Sequence, residues 1–566
     1  LADLTGLTNA QYLAFAVLLI LVVAEGYYAV TLQRDFYTQS GPFFDSLGYY
    51  TQMAHIWTRA REQGLAESLR AAWSGGTVFL PWVETAFLAS FVPLTRELAV
   101  WLQSIWLLCL AWSLFYYFTH WRRVPTAHAL ILTLPFLAFR GIFYFNGGLS
   151  DFRMDLSLYL FVALAAVWYL ATYETESYVP WVALGVFSGL ACLNRATAPI
   201  YLAVMFGPPL ACRIVTDRAN FGRYLRRIAA SVLPVLVLAL PFLIANGEYL
   251  YFYYFVWNAD ANARLPLKDS IQHFGWAALN IGREMCLLLG IAGSWHLFAG
   301  WQFRRWSLSA LFWSIDWKVA WLGIAPAAFL AVRGAGANPF VTMPCVLGMV
   351  MFALVPLAGK TSLRGWKAMI VSVLVIIGVT LNVRAAPALH LEGQATTPSM
   401  VALRQGIELL REDARDRGAR KINFATIYVG LLHYYAMQHV ILFDFRGRLD
   451  SGGVRDKDGI LFTNDEAHRF TPAVPVDWQR LTTGGAEEER IQYLVKVAQN
   501  RLDCFFLPDD PTVELVERER PFFFMNTKVR AVKKALLATG TWERYGPLLD
   551  VRLGEKMEFY RRTRPR

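Results

Sequence analysis

Three carboxylates in this sequence sit at the ends of apolar runs, where an acid could do chemistry. Asp45 falls in GPFFDSLGYY, residues 41–50, just beyond the first long apolar run at about 10–32. Asp151 and Asp155 fall in GIFYFNGGLSDFRMD, residues 141–155, at the head of another run. An acid placed so is a candidate general base: partial desolvation raises its affinity for a proton, while neighbouring cations keep it ionised. A single acid beside an apolar run also reads as solvated surface. The two loops therefore matter jointly, and they can serve one cavity only if they lie on the same side of a membrane.

The elements that would position them are membrane spans. Of the 566 residues, 56% are hydrophobic, and apolar stretches of about 18 or more recur up to about residue 385. Each can cross a hydrocarbon core about 30 Å thick. The net charge of +11 would suit nucleic acid in a soluble chain, but in a membrane protein basic residues mostly record orientation and headgroup contact. No nucleic-acid motif accompanies it. Cys504 stands alone in the polar part of the chain, which excludes a disulfide there, and no CxxC metal spacing occurs. The first Lys or Arg is Arg34, after the first run, and no A-x-A site follows that run. It reads as a retained anchor.

The piece TVFLPWVETAFLASFVP, about 77–93, decides the topology. Interrupted by Pro81 and Glu84, it is marginal as a span and is expected to be interfacial or re-entrant. Spans are then expected at about 10–32, 97–119, 124–140, 154–173, 179–193, 197–212, 227–247, 276–297, 318–332, 339–358 and 366–383, about eleven in all. With the N-terminus inside, Arg122 and Arg123, the run from Arg213 to Arg227, Arg304 and Arg305, and Lys360 to Lys367 all fall inside. The opposite choice would put them outside, against the positive-inside rule. Both acidic loops, 33–96 and 141–154, then face the outer compartment. So do Arg153, Arg195 and Arg333, with Arg59 and Lys268 behind them; an arginine fork suits a phosphate, although each also reads as a headgroup anchor or ion-pair partner.

From residue 386 the composition turns polar and mixed, and residues 386–566 are expected to form an extracytoplasmic α/β domain. A helix is expected near 400–416 and another at EERIQYLVKVAQN. Strands are expected at KINFATIY, HVILFDF and DCFFLPDD, and a hairpin from LLDVRLG and KMEFYRR. No glycine fingerprint for a nucleotide stands in strand-to-helix context.

Transfer of a sugar onto a hydroxyl needs one base, and with a phosphate leaving group it needs cations more than an acid. Over roughly residues 10–200 the chain resembles the GT-C superfamily of integral-membrane glycosyltransferases, in particular the lipid A aminoarabinose transferases and protein O-mannosyltransferases. The elements in order are a first span, an outer-loop acid followed by aromatics (Asp45, Ser46, Tyr49, Tyr50), the interfacial apolar segment, a span ending in basic residues, and Asp155 before LSLYLFVALAAVWYL. LACLNRATAPIYL is similar to a later turn of the family. Ser46 stands where the mannosyltransferases carry a second acid, and SGGTVFL lacks the lysine of the aminoarabinose enzymes.

The resemblance implies a polytopic GT-C-like protein of the bacterial inner membrane. It further implies inverting transfer from a polyprenyl-phosphate sugar to a lipid, glycan or protein acceptor. Asp45 would be the catalytic base, with Asp155 and Asp151 as the second-loop acids. Those two acids would position donor or acceptor, or hold a divalent cation such as Mg or Mn; beside Arg153 they read equally as a neutralised cluster. Tyr49, Tyr50 and His55 are the candidates for contacts with acceptor or sugar, His55 reading also as a satisfied polar group. Two other readings remain open at this level: an O-antigen polymerase or ligase, disfavoured by the early placement of Asp45, and a lipid-linked-glycan transporter, for which Arg283 and Glu284 are the best signal.

Overall fold

The computed structural model describes residues 8–41, 44–74, 78–251, 317–333, 366–394, 397–426, 434–450, 453–463, 487–509, 529–552 and 555–563, with single positions between 266 and 275. They divide into two compact units. The first takes residues 1–32, 63–88 and 97–389, the second 33–62, 89–96 and 390–566.

The first unit is helical because its sequence is apolar over whole turns rather than in alternation. Helix α1 runs Asn9–Gln39 and α2 Phe44–Glu62, α2 belonging wholly to the second unit. In the first unit follow α3 (Leu65–Trp73), α4 (Leu80–Leu88), α5 (Glu97–Tyr116, continued by a π turn Tyr117–Trp121) and α6 (Thr126–Leu137). Next come α7 (Met154–Ala171), α8 (Val179–Asn194), α9 (Ala198–Thr216) and α10 (Phe221–Ala245). Among the described residues six helices are long and apolar enough to cross a membrane: α1, α5 with its π turn, α7, α9, α10 and Ser372–Gln394. Thr126–Leu137, Val179–Asn194 and Trp317–Leu330 are apolar but shorter. The expected spans at 276–297 and 339–358 lie outside the described residues. The 77–93 piece yields only α4, 9 residues and so about 14 Å long, too short to span. The expected span at 124–140 is cut to Leu137 behind an internal Pro135, which removes one helical hydrogen bond.

Helix α7 is the centre of this unit. Every residue in it except Trp168 is buried, as a helix apolar on all faces requires. It packs against α5, α8 and α9. Helices α8 and α10 approach so closely at Gly185 that a Cβ there would lie 2.1 Å from the Ser231 carbonyl oxygen. Only glycine allows that distance.

The second unit carries a mixed sheet in the order β2-β3-β4-β1-β5-β8-β6, with β7 also on β8. Its strands are β1 Lys421–Thr426, β2 Arg448–Asp450, β3 Gly453–Arg455, β4 Leu461–Thr463, β5 Cys504–Pro508, β6 Trp542–Arg544, β7 Leu549–Arg552 and β8 Glu555–Arg562. Strand β1 is parallel to β4 and β5, and β5 is antiparallel to β8 with Phe505 opposite Tyr560. Helices Met400–Asp416 and Glu487–Arg501, and the β7–β8 pair, stand where the sequence puts them.

HVILFDF is a correction: its first five residues, 439–443, close helix Tyr434–Phe443. Its residues from Ala436 to Leu442 are all buried, so no alternation marks it as strand or helix. This helix packs on Met400–Asp416 and on α2.

Candidate active site

The second acidic loop is built by glycine. After the 3-10 turn Arg140–Phe143, Gly147 takes φ 93°, in the left-handed region. A Cβ on Gly148 would lie 2.4 Å from the Tyr144 carbonyl oxygen. The turn is closed by Gly148 N–H on Tyr144 O (3.1 Å) and Leu149 N–H on Ile142 O (2.7 Å). Gly147 N–H then donates to Asp151 Oδ2 at 2.8 Å, so the NGG triplet of the sequence orients the first acid of the pair.

Asp155 stands in the first turn of α7 and is 3% exposed. Its Oδ2 accepts from Arg153 Nε at 3.1 Å, and its Oδ1 accepts from Arg195 Nη1. Arg153 also donates through Nη1 to Asn146 Oδ1 at 2.7 Å. Arg195 caps the C-terminus of α8, and its side chain keeps 21% exposure against 7% for Arg153. Two cations thus converge on one carboxylate from a loop and from the end of another helix. Two side chains from below hold the same segment: Gln103 of α5 donates Nε2 to Asp151 O at 3.0 Å, and Asn194 of α8 donates Nδ2 to Met154 O at 3.3 Å.

Among the described residues, the carboxylates of Asp151 and Asp155, the candidate metal ligands, meet protein donors. Both oxygens of Asp155 are engaged by guanidinium groups, and one oxygen of Asp151 by a backbone N–H. Among the described residues no group of three His, Cys, Asp or Glu is placed to hold a metal ion.

The other sequence candidates fall in several places. Asp45 is in the first turn of α2; its side chain lies outside what the structure describes. On the same helix Tyr50 is fully buried, accepting from Gln33 Nε2 at 2.9 Å and packing edge-on against His439 and Phe443. Tyr49 and His55 are half-buried, and Arg59 is exposed. Burial, then the Arg59 charge, hold the His55 imidazole below its ordinary pKa. Lys268 is exposed. Arg333 ends helix Trp317–Arg333, its side chain outside the described set.

Helix α2 and its neighbours form a separate cluster within the second unit. Arg96 pairs with Asp444 at 2.7 Å, lies 4.8 Å over the Tyr37 ring and donates to His439 Nε2 at 3.4 Å. Trp57 Nε1 donates to Val92 O at 3.1 Å. Burial, then the Arg96 charge, push the His439 pKa well below its usual value.

Sequence reasoning passed over Gln103, Asn146, Asn194 and Arg140. Gln103 carried a signal, a polar residue in mid-span. Arg140, at the foot of the loop, keeps its Nε buried with no hydrogen-bond partner among the described residues.

No protein-family model and no curated protein matches the chain. Among solved structures it is similar to ArnT from Cupriavidus metallidurans bound to undecaprenyl phosphate, with a TM-score of 0.57 at 11% identity over 96% of this chain and 97% of that one. The apo state of the same protein matches with a TM-score of 0.53, again at 11% identity, 96% and 97%. The resemblance to the aminoarabinose transferases of the GT-C superfamily is therefore one of fold, and this chain is built on the ArnT fold along nearly its whole length.

Proposed function

We propose that this chain is a GT-C-type glycosyltransferase moving a sugar from a polyprenyl-phosphate donor to an acceptor hydroxyl at the outer face of a bacterial cytoplasmic membrane. The observation that carries the reading is the likeness in fold, over 96% of the chain, to a structure holding undecaprenyl phosphate. Residues 1–385 serve as the membrane module with its N-terminus in the cytoplasm, and 386–566 as the outer domain.

The acceptor oxygen attacks the anomeric carbon while the bond from that carbon to the phosphate oxygen breaks. The product is a glycoside of inverted configuration, and polyprenyl phosphate leaves. Asp45 takes the hydroxyl proton. The electron pair of the broken bond stays on the phosphate, where a cation stabilises the developing charge. Arg195 is the cation for this task, because it is buried enough to act in low dielectric and open enough to be reached; Arg153 holds Asp155 in place. Arg333, Arg59 and Lys268 are further cations for the lipid phosphate, and Tyr49 and His55 for the incoming groups.

Asp45→Asn tests the assignment. Turnover should fall by roughly 10²–10⁴-fold, the usual worth of a general base, while binding of polyprenyl phosphate, measured by thermal shift, is retained. Undiminished transfer in the variant removes Asp45 from the mechanism.

A further inference from the structure

Beneath the acidic loop, α4, α5, α7 and α8 enclose a cavity of about 10 Å³, room for about one water molecule. Its polar lining is Glu84, Gln103, Trp106, Ser157 and Asn194. The two amides are fixed by what their nitrogens do. Gln103 Nε2 is spent on Asp151 O and Asn194 Nδ2 on Met154 O. That leaves Gln103 Oε1 and Asn194 Oδ1, on side chains 2% and 0% exposed, buried and without a donor among the described residues. Buried acceptors are nearly always paired.

Glu84 accepts from Trp106 Nε1 at 2.6 Å. An ionised Glu84 would add a charge and more acceptors to a cavity where the Trp106 N–H is already given to Glu84 and the Ser157 hydroxyl is one further donor for several acceptors. A neutral carboxylic acid adds a donor, and one water adds two more.

We propose that Glu84 is a protonated acid and that this cavity binds one water, the two together closing the hydrogen bonds of Gln103 and Asn194 and so positioning the Asp151–Asp155 segment. Burial, opposed by the Trp106 hydrogen bond, pushes the Glu84 carboxyl up to about 7, in keeping with this. Glu84 touches neither acid nor substrate and is a positioning residue; that role rests on the transferase reading above, whereas the state of the site does not.

The full-length protein in detergent or nanodiscs tests both. The infrared difference between wild type and Glu84→Gln near neutral pH should show the carbonyl stretch of a protonated carboxylic acid, and a high-resolution map should show one water between Glu84 and the two amides. A carboxylate band instead, or an empty cavity, overturns the proposal. So does stabilisation of wild type, and not of Glu84→Gln, by sodium over choline chloride, which would make the occupant a cation.

In transfer assays Glu84→Gln, which keeps a donor and an acceptor, should hold wild-type kcat. Glu84→Leu should lose about tenfold in kcat, the worth of one hydrogen bond, at unchanged KM for the donor. Equal activity in the two variants overturns the positioning role. Absence of transfer by wild type itself would fault the transferase reading and leave the infrared and map results to decide the site.

Discussion

Two buried aspartates, one in each unit, are paired with arginine in opposite ways. In the second unit Asp456 accepts from Arg411 Nε at 2.8 Å and from the backbone N–H groups of Asp458 (3.0 Å) and Ile460 (2.9 Å). Arg411 in turn meets Glu408 at 2.7 Å and lies 4.4 Å over the Phe445 ring. That acid belongs to its own turn between β3 and β4, and its cation is buried beside it, with Nη2 unpartnered among the described residues. Asp155 of the first unit takes its hydrogen bonds, among the described residues, from Arg153 and Arg195 alone. Its two cations come from different elements, one from the loop and one from the end of α8. The first cluster holds a turn; the second ties a loop to the end of a helix.

The largest effect should come from Asp155→Asn, which leaves both arginines without their shared counter-ion. Loss of one partner of a buried pair costs about 3–5 kcal/mol, so the variant should melt well below wild type and transfer no sugar; unaltered melting would reduce Asp155 to surface. Next is the contrast between Arg195→Gln and Arg411→Gln. The former should weaken polyprenyl-phosphate binding about tenfold, as loss of a charge-assisted hydrogen bond implies, and should also lower melting, since Asp155 then keeps one of its two arginines. The latter should lower stability by about 3–5 kcal/mol and leave lipid affinity alone. If both variants lost affinity equally, the comparison would fail.

The smallest effect concerns His439. Its folded pKa is depressed by burial and Arg96, so above about pH 6.5 both states are neutral and it contributes no pH dependence. As pH falls below that value the unfolded chain takes up a proton that the folded one refuses, and stability declines. His439→Phe should flatten this acid limb of the melting curve while leaving the value near pH 8 almost unchanged.

Much of this was legible in the sequence where a segment repeats one strong signal. The apolar runs gave α1, α5, α7, α9 and α10, and Pro81 with Glu84 marked the 77–93 piece as too broken to span. An ion pair of Arg153 with Asp151 or Asp155 was one of the readings open from their closeness in sequence, and Asp155 is a partner. Arg195 stood out as a candidate cation, but not as the second partner of Asp155, because 40 residues and two helix ends intervene. Helix α2 was hidden by its mixed aromatic and polar surface, and the 436–442 helix by uniform burial. Gln103 and Asn194 act through backbone carbonyls, which no side-chain pattern announces.

The enclosure of α7 also bears on how the chain is made. As that helix leaves the translocation channel its flanks must rest against lipid, since α8 and α9 have yet to be synthesised. Asp155 at its head waits as an acid without its second cation until Arg195 emerges, 40 residues later. Biogenesis of this half of the molecule is thus a handover, with acyl chains as temporary neighbours replaced one helix at a time.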